Sequence, residues 1–215
     1  MRKQIQKDIL TASYEAGACH IGSALSCVDI LVNLFYNVIK DGDVFLFAKA
    51  SGVATYYAIL ARKGYFPKNK LAHYLKQYPL PSKEVPGVIH SVGSLGHGLS
   101  VAAGIAQANR NRKVYVLLSD GECQEGSTLE AVSYIAQHKL DNLYVIVDNN
   151  GIQACGFTDN IIGMDEIFKF MKASLPNCEI CYTVKGAGVD FIENDYTWHY
   201  RNITKEQLDK ALKQI

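Results

Sequence analysis

Several things are missing from this sequence of 215 residues. No apolar run approaches the roughly 20 residues that a membrane-spanning helix needs, so no such helix is expected. Neither charge dominates: 22 Lys and Arg stand against 21 Asp and Glu, a formal net of +1. That balance gives no electrostatic case for nucleic acid or an anionic membrane surface. No GxxxxGK[ST] loop is present, which removes P-loop nucleotide hydrolysis. Gly186-Ala187-Gly188 lacks the third glycine and the following helix of a dinucleotide fingerprint. The N-terminal Met1-Arg2-Lys3-Gln4-Ile5-Gln6-Lys7 lacks the apolar core and cleavage site of a secretory signal, so the expected address is the cytoplasm. Only 6 cysteines occur, scattered along the chain, and in that compartment they are expected to be reduced thiols. Cys178 and Cys181 have CxxC spacing but lie in a strand-like segment, read here as a half-buried strand rather than a redox or zinc site. There is no internal repeat, low-complexity tract or linker.

What is present suits one large domain with a real core, residues 1–215: hydrophobic residues make up 48% and charged residues 20%. Helical patterns cover Ile5 to Gly17 and Val28 to Ile39, separated by the small-residue loop Gly17-Ala18-Cys19-His20-Ile21-Gly22-Ser23. A short buried strand follows at Val44 to Phe47, then a helix at Ala54 to Lys63, stopped by Gly64 and Pro67. Residues 76 to 92 are polar and carry three prolines, which predicts an irregular stretch. Leu99 to Asn109 reads as a helix rich in Ala and Gly, able to approach a neighbouring backbone closely. Lys113 to Ser119 and Asn142 to Val147 are continuous apolar strands around the helix Leu129 to His138. Continuous rather than alternating apolar strands predict a parallel βαβ unit covered on both faces. A last strand is expected at Glu179 to Val184. The C-terminal helix starts at Thr204, with Gln207 completing a capping box. The fold class is α/β: a mostly parallel sheet with helices on both faces.

Two strand ends concentrate polar residues: Asp120-Gly121-Glu122 and Asp148-Asn149-Asn150. In a parallel sheet, ligands gather outside the carboxyl ends of the strands, and a βαβ unit brings both ends to the same rim. A carboxylate and an amide oxygen there suit a hard divalent cation, with the Ile152 carbonyl as a third oxygen. Asp and Asn at strand ends are also common turn formers and helix caps, so on these residues alone both readings stand.

The longer string resembles the thiamine diphosphate motif of the transketolase family. It runs Ser119-Asp120-Gly121-Glu122-Cys123-Gln124-Glu125-Gly126, then Glu130-Ala131, Leu140-Asp141-Asn142-Leu143 and Asp148-Asn149-Asn150. The family motif begins Gly-Asp-Gly and ends in Asn about thirty residues later; Asp120 and Asn150 hold that spacing, and Ser119 replaces the first Gly. Ala18-Cys19-His20-Ile21-Gly22 is similar to the family's Gly-His-Pro-Gly loop. Gly93-Ser94-Leu95-Gly96-His97-Gly98 resembles the segment that packs against the cofactor. Thr183-Val184-Lys185-Gly186-Ala187-Gly188, with Trp198-His199, resembles the close of the family's N-terminal domain. The resemblance implies that Asp120, Asn150 and the Ile152 carbonyl hold Mg²⁺, which holds the diphosphate of thiamine diphosphate. It places Gly121 and Glu122 close to the diphosphate and Gly93 and Leu95 toward the aminopyrimidine. It gives His20, His97 and His199 the diphosphate or sugar hydroxyls, and likens Glu125 and Glu130 to buried subunit-interface acids.

Three departures accompany this. Ser51 and Leu80 occupy positions where the family has histidines that contact cofactor and donor ketose. The stretch from Asn150 to Glu179 is short for the family's extra helix and strand, so the sheet is expected to be trimmed at one edge. The pyrimidine-binding domain, with the catalytic Glu that acts on the aminopyrimidine, is expected on a separate chain. The implied protein is therefore the N-terminal subunit of a split transketolase, forming a heterotetramer with a C-terminal transketolase-like subunit. It would move a two-carbon ketol unit between small sugars. Alternatives are a specialised ketol or acyl transferase of a sugar or secondary-metabolite pathway, and a non-catalytic scaffold domain.

Overall fold

The computed structural model describes all residues, 1–215. In chain order the helices and strands are α1 (Arg2–Ala16), α2 (Ile21–Ser26), α3 (Val28–Asn33), β1 (Val44–Phe47), α4 (Val53–Arg62), α5 (Leu71–Gln77), α6 (His97–Ala108), β2 (Val114–Ser119), α7 (Asp120–Cys123), α8 (Gly126–His138), β3 (Leu143–Asn149), α9 (Met164–Ser174), β4 (Cys178–Tyr182) and α10 (Lys205–Gln214). They form two compact units. The first comprises Met1–Val38, Ser51–Ser91 and Thr183–Ile215; the second comprises Ile39–Ala50 and Val92–Tyr182. No helix is long and apolar enough to cross a membrane.

The second unit carries the sheet, four strands in the order β1-β2-β3-β4, every pair parallel. Successive side chains of a strand point to opposite faces, and every residue of β1 and the first five of β2 are buried. Both faces of these strands are thus shielded, which is why their sequences are continuously apolar. Helix α6 packs on β2 and β3, α8 on α6, and α9 on α8 and β4. The small residues of α6 are needed for this: a Cβ on Gly98 would collide with Ala48 beyond the end of β1. Between β3 and β4 lies α9 and no strand. Helix α9 has no counterpart among the expected elements, although Met164, Phe168, Met171 and Leu175 are all buried and recur at helical spacing.

The first unit is helical. Helix α1 packs against α2, α3, α4, α5 and α10, and all residues from Val53 to Ala61 of α4 are buried. Asp8 of α1 is held by Arg62 and Lys68, each at 2.6 Å. The helix expected over Val28 to Ile39 is α3 followed by a π-helical turn, Leu34–Val38. The loop expected after Gly17 is shorter than read, because α2 begins directly after His20. Helix α10 has the predicted capping box, with Thr204 and Gln207 bonded reciprocally.

Candidate functional site

In the second unit, the register pairs Ser119 with Asp148, so the ends of β2 and β3 arrive side by side. Ser119 caps α7. Its Oγ accepts from Glu122 N at 3.3 Å, and Glu122 Oε2 accepts from Ser119 N at 2.9 Å. This capping box turns the chain sharply at Asp120. The Asp120 carboxylate then ties the two strand ends together. Its Oδ1 accepts from Gly121 N at 2.8 Å, and its Oδ2 from Asn150 N at 3.1 Å and Gly151 N at 2.7 Å. Asn150 Oδ1 accepts from Ile152 N at 3.1 Å, fixing the turn whose carbonyl the sequence pattern singles out. Asp120, Asn150 and Ile152 are therefore brought together.

Beside them lies an ion pair that sequence reasoning missed. Lys49 Nζ is 3.1 Å from Asp148 Oδ2, with side chains 1% and 0% exposed. Three buried carboxyls, Asp120, Glu122 and Asp148, thus share a single buried ammonium. Burial raises Asp120 above its usual range, and the Lys49 charge offsets this in part. Burial pushes Glu122 up to about 7 against hydrogen bonds from Ser119 that favour its charged form, and its Oε1 is buried with no hydrogen-bond partner. Excess negative charge at a dry strand end fits a divalent cation. No set of three His, Cys, Asp or Glu side chains converges on a metal position. A cation here would have the Asp120 carboxylate as its one charged ligand and would need amide, carbonyl, water and phosphate oxygens for the rest of its shell, the preference of Mg²⁺.

The other residues named for this unit are more loosely held. Gly93, Leu95 and His97 are all exposed, at and before the start of α6. The backbone N–H groups of Gly121 and Glu122 have acceptors within the motif, Asp120 Oδ1 and Ser119 Oγ. Glu125 and Glu130 are exposed in this chain. Cys178 and Cys181, three apart on β4, point to opposite faces, and burial pushes each thiol up to about 11, which suits inert thiols.

In the first unit, segments far apart in sequence assemble a basic cluster. His20 has a left-handed backbone, φ 66°, unusual for a residue other than glycine. Its N–H donates to His199 O at 3.1 Å, and the two rings meet edge to face with centroids 4.7 Å apart. Lys185, fully buried, places Nζ 3.3 Å from His199 Nδ1. An ammonium can only donate, so His199 Nδ1 accepts and its Nε2 carries the proton. Cys19 Sγ lies 3.5 Å from His20 Nδ1. The predicted His20 and His199 are thus adjacent, and His199 rests on a buried lysine to which the motif alone assigns no role. A lysine with no exposure beside two imidazoles suits an anion or a hydroxyl-rich ligand. Of the two positions where family histidines are expected, Ser51 sits in the 3₁₀ turn Ala50–Gly52. Leu80 is 37% exposed, with its carbonyl accepting from Tyr57 Oη at 2.9 Å.

Comparison with known proteins identifies the family. The family model described as thiamine pyrophosphate enzyme, C-terminal TPP binding domain, matches residues 69–215. An apulose-4-phosphate transketolase subunit from Actinobacillus succinogenes is 34% identical over 252 aligned positions, covering 96% of this chain and 91% of that protein. Its namesake from Phocaeicola vulgatus is 30% identical, covering 98% and 90%. The transketolase structure from Leishmania mexicana superposes with a TM-score of 0.82 at 22% identity, covering 98% of this chain. The chain spans 40% of that transketolase's length. On these grounds the chain belongs to the transketolase family of thiamine diphosphate enzymes.

Proposed function

We propose that this chain is the cofactor-binding subunit of a two-component, Mg²⁺-dependent transketolase acting on small sugar phosphates, completed by a partner that carries the pyrimidine-binding domain and the catalytic Glu. The observation that carries this is the strand-end cluster, in which Asp120 gathers the backbone of Asn150 and Gly151 beside an excess of buried carboxyls. Support for the two-component form comes from relatives named as subunits, of which this chain covers nine-tenths. Those names make apulose 4-phosphate the first substrate to try.

Thiamine diphosphate, when bound, supplies the nucleophilic carbon that carries a two-carbon unit between ketose and aldose. The residues of this chain bind and orient. Asp120, Asn150 Oδ1 and the Ile152 carbonyl hold the metal, and Gly121, lacking a side chain, lets the diphosphate come close. Gly93 and Leu95 form an exposed edge for the ring end of the cofactor. In the first unit, Lys185, His199 and His20 offer positive charge and N–H donors to phosphate or sugar hydroxyls; in the second, His97 is an exposed N–H donor. Ser51 and Leu80, where the family has histidines, remove hydrogen bonds to the donor and favour a ketose that differs from the usual one.

The test is calorimetric. The chain is mixed with a partner subunit that carries a pyrimidine-binding domain, and thiamine diphosphate is titrated with and without Mg²⁺. Metal-dependent binding to the complex that falls more than about 100-fold in Asp120→Ala is expected, since even groups behind metal ligands are worth 10–100-fold. Unchanged binding in that variant would remove the assigned site, and a complex that binds no cofactor would favour a scaffold. The chain alone should bind weakly and turn over no ketose; steady-state activity without a partner would overturn the two-component reading.

A further inference from the structure

Two glutamines in the second unit join the motif helix to the loop that follows the candidate metal turn. Gln124, the residue that closes α7, donates from Nε2 to Thr158 O at 3.0 Å and Ile162 O at 2.6 Å. Its Oε1 accepts from Gln153 Nε2. Gln153 belongs to a small hairpin: Ile152 bridges Phe157 antiparallel, Gln153 N donates to Gly156 O at 2.8 Å, and Thr158 N donates to Gly151 O at 2.9 Å. The Gln153 side chain also lies flat over Gly121, where a Cβ would meet its Cδ at 3.1 Å and Cγ at 3.3 Å. A Cβ at 121 would therefore push the Gln153 side chain aside by a few tenths of an ångström.

We propose that Gln124 and Gln153 form a latch that positions the Ile152 carbonyl and the Asn150 amide for the cation, a role that rests on the metal site proposed above. The turn 150–152 emerges from β3 and is held from one side by Asp120. Without a second attachment, the hairpin 151–158 could pivot about those two hydrogen bonds and carry the Ile152 carbonyl away. Gln124 supplies that attachment from the far end of the same helix that Asp120 begins. One rigid four-residue turn thus grips the metal loop at both ends. The amide side chain suits the task because one group donates to carbonyls and accepts from Gln153 at once; a carboxylate or an apolar chain cannot do both. Groups that orient metal ligands are typically worth 10–100-fold in metal affinity.

The experiment uses the full chain bound to its partner, with Gln124→Ala, Gln153→Ala, the double variant and Gln124→Glu. Three quantities are read: the Mg²⁺ concentration that half-saturates thiamine diphosphate binding, the melting temperature without metal, and hydrogen exchange at Gln153 and Thr158 N–H. Each single variant is expected to raise the Mg²⁺ requirement roughly tenfold and to speed exchange at both amides. The double variant is expected to be no worse than the poorer single, because both residues act through one link. Gln124→Glu, which keeps the acceptor and loses the donors, is expected to behave like Gln124→Ala. A fall in melting temperature with an unchanged Mg²⁺ requirement overturns the latch, as does strict additivity. If Asp120→Ala loses binding while the glutamine variants bind like wild type, the latch fails and the metal site stands. If wild type shows no Mg²⁺ dependence, both fail.

Discussion

The two clusters of this molecule are opposites in charge and in construction. The strand-end cluster of the second unit is carboxyl-rich, and the ligands proposed for its metal lie on two chain turns with backbone partners, Asp120 to Asn150 and Gly151. The cluster of the first unit is basic and is made of side chains from three distant segments, His20, Lys185 and His199. The first gets its shape from strand register, so few side chains need be specified. The second has no such frame and relies on a strained backbone at His20 and a buried lysine. An acidic site built on backbone suits a small hard ion; a basic site built on long side chains suits an anion with several oxygens.

Breaking the ion pair under the acidic cluster should have the largest effect. Lys49→Met leaves Asp148 buried without its cation and is expected to destabilise the chain by about 3–5 kcal/mol, read by urea unfolding. Adding Asp148→Leu should recover most of that loss; failure to recover would show that Lys49 matters through its other contacts. A smaller effect separates the clusters by pH. Glu122, raised to about 7 in the fold against 4.5 ordinarily, binds more protons folded than unfolded between those values. Its contribution therefore favours the fold at low pH and is lost as pH climbs through that window. Glu122→Gln keeps the capping box and should remove a pH-dependent loss of stability on the order of 3 kcal/mol, read as a flatter decline of melting temperature with pH. An unchanged slope in the metal-free chain would place the titration elsewhere. The smallest effect is at His20. Relieving its left-handed backbone with His20→Gly should raise stability by at most about 1 kcal/mol while lowering turnover by the complex; a clear fall in melting temperature would show that the ring contacts outweigh the strain.

The same contrast explains what can be read from the sequence. The strands are visible because continuous apolar runs have one explanation in a parallel sheet, and β1 lies on the predicted residues, Val44–Phe47. Asp120 and Asn150 are visible because they hold the spacing of the family motif, since alone they read equally well as turn formers. Lys49 is not, since its partner Asp148 lies on another strand and a lysine in isolation reads as surface. Lys185 lies within a legible motif, but its complete burial depends on packing that no local pattern reveals. Gln124 and Gln153 carry no signal at all: glutamine is neutral, and the latch exists only when α7 and the 151–158 hairpin have already met. Helix α9 is the opposite case, absent from the expected elements although its apolar spacing is helical.

The placement of β1 has a consequence for how the protein is made. Val44 pairs with Val114, and β2 is the only strand beside β1. The intervening chain includes Ser51–Ser91, which belongs to the other unit. During synthesis, β1 leaves the ribosome long before its partner, and at about 5–20 residues per second its fully apolar Val44-Phe45-Leu46-Phe47 waits several seconds unpaired. In that interval it is a sticky tetrapeptide open to chaperones and to neighbouring nascent chains. Slower elongation between codons 48 and 114 should therefore lower soluble yield far more than slowing after codon 150, when all but β4 can already pair.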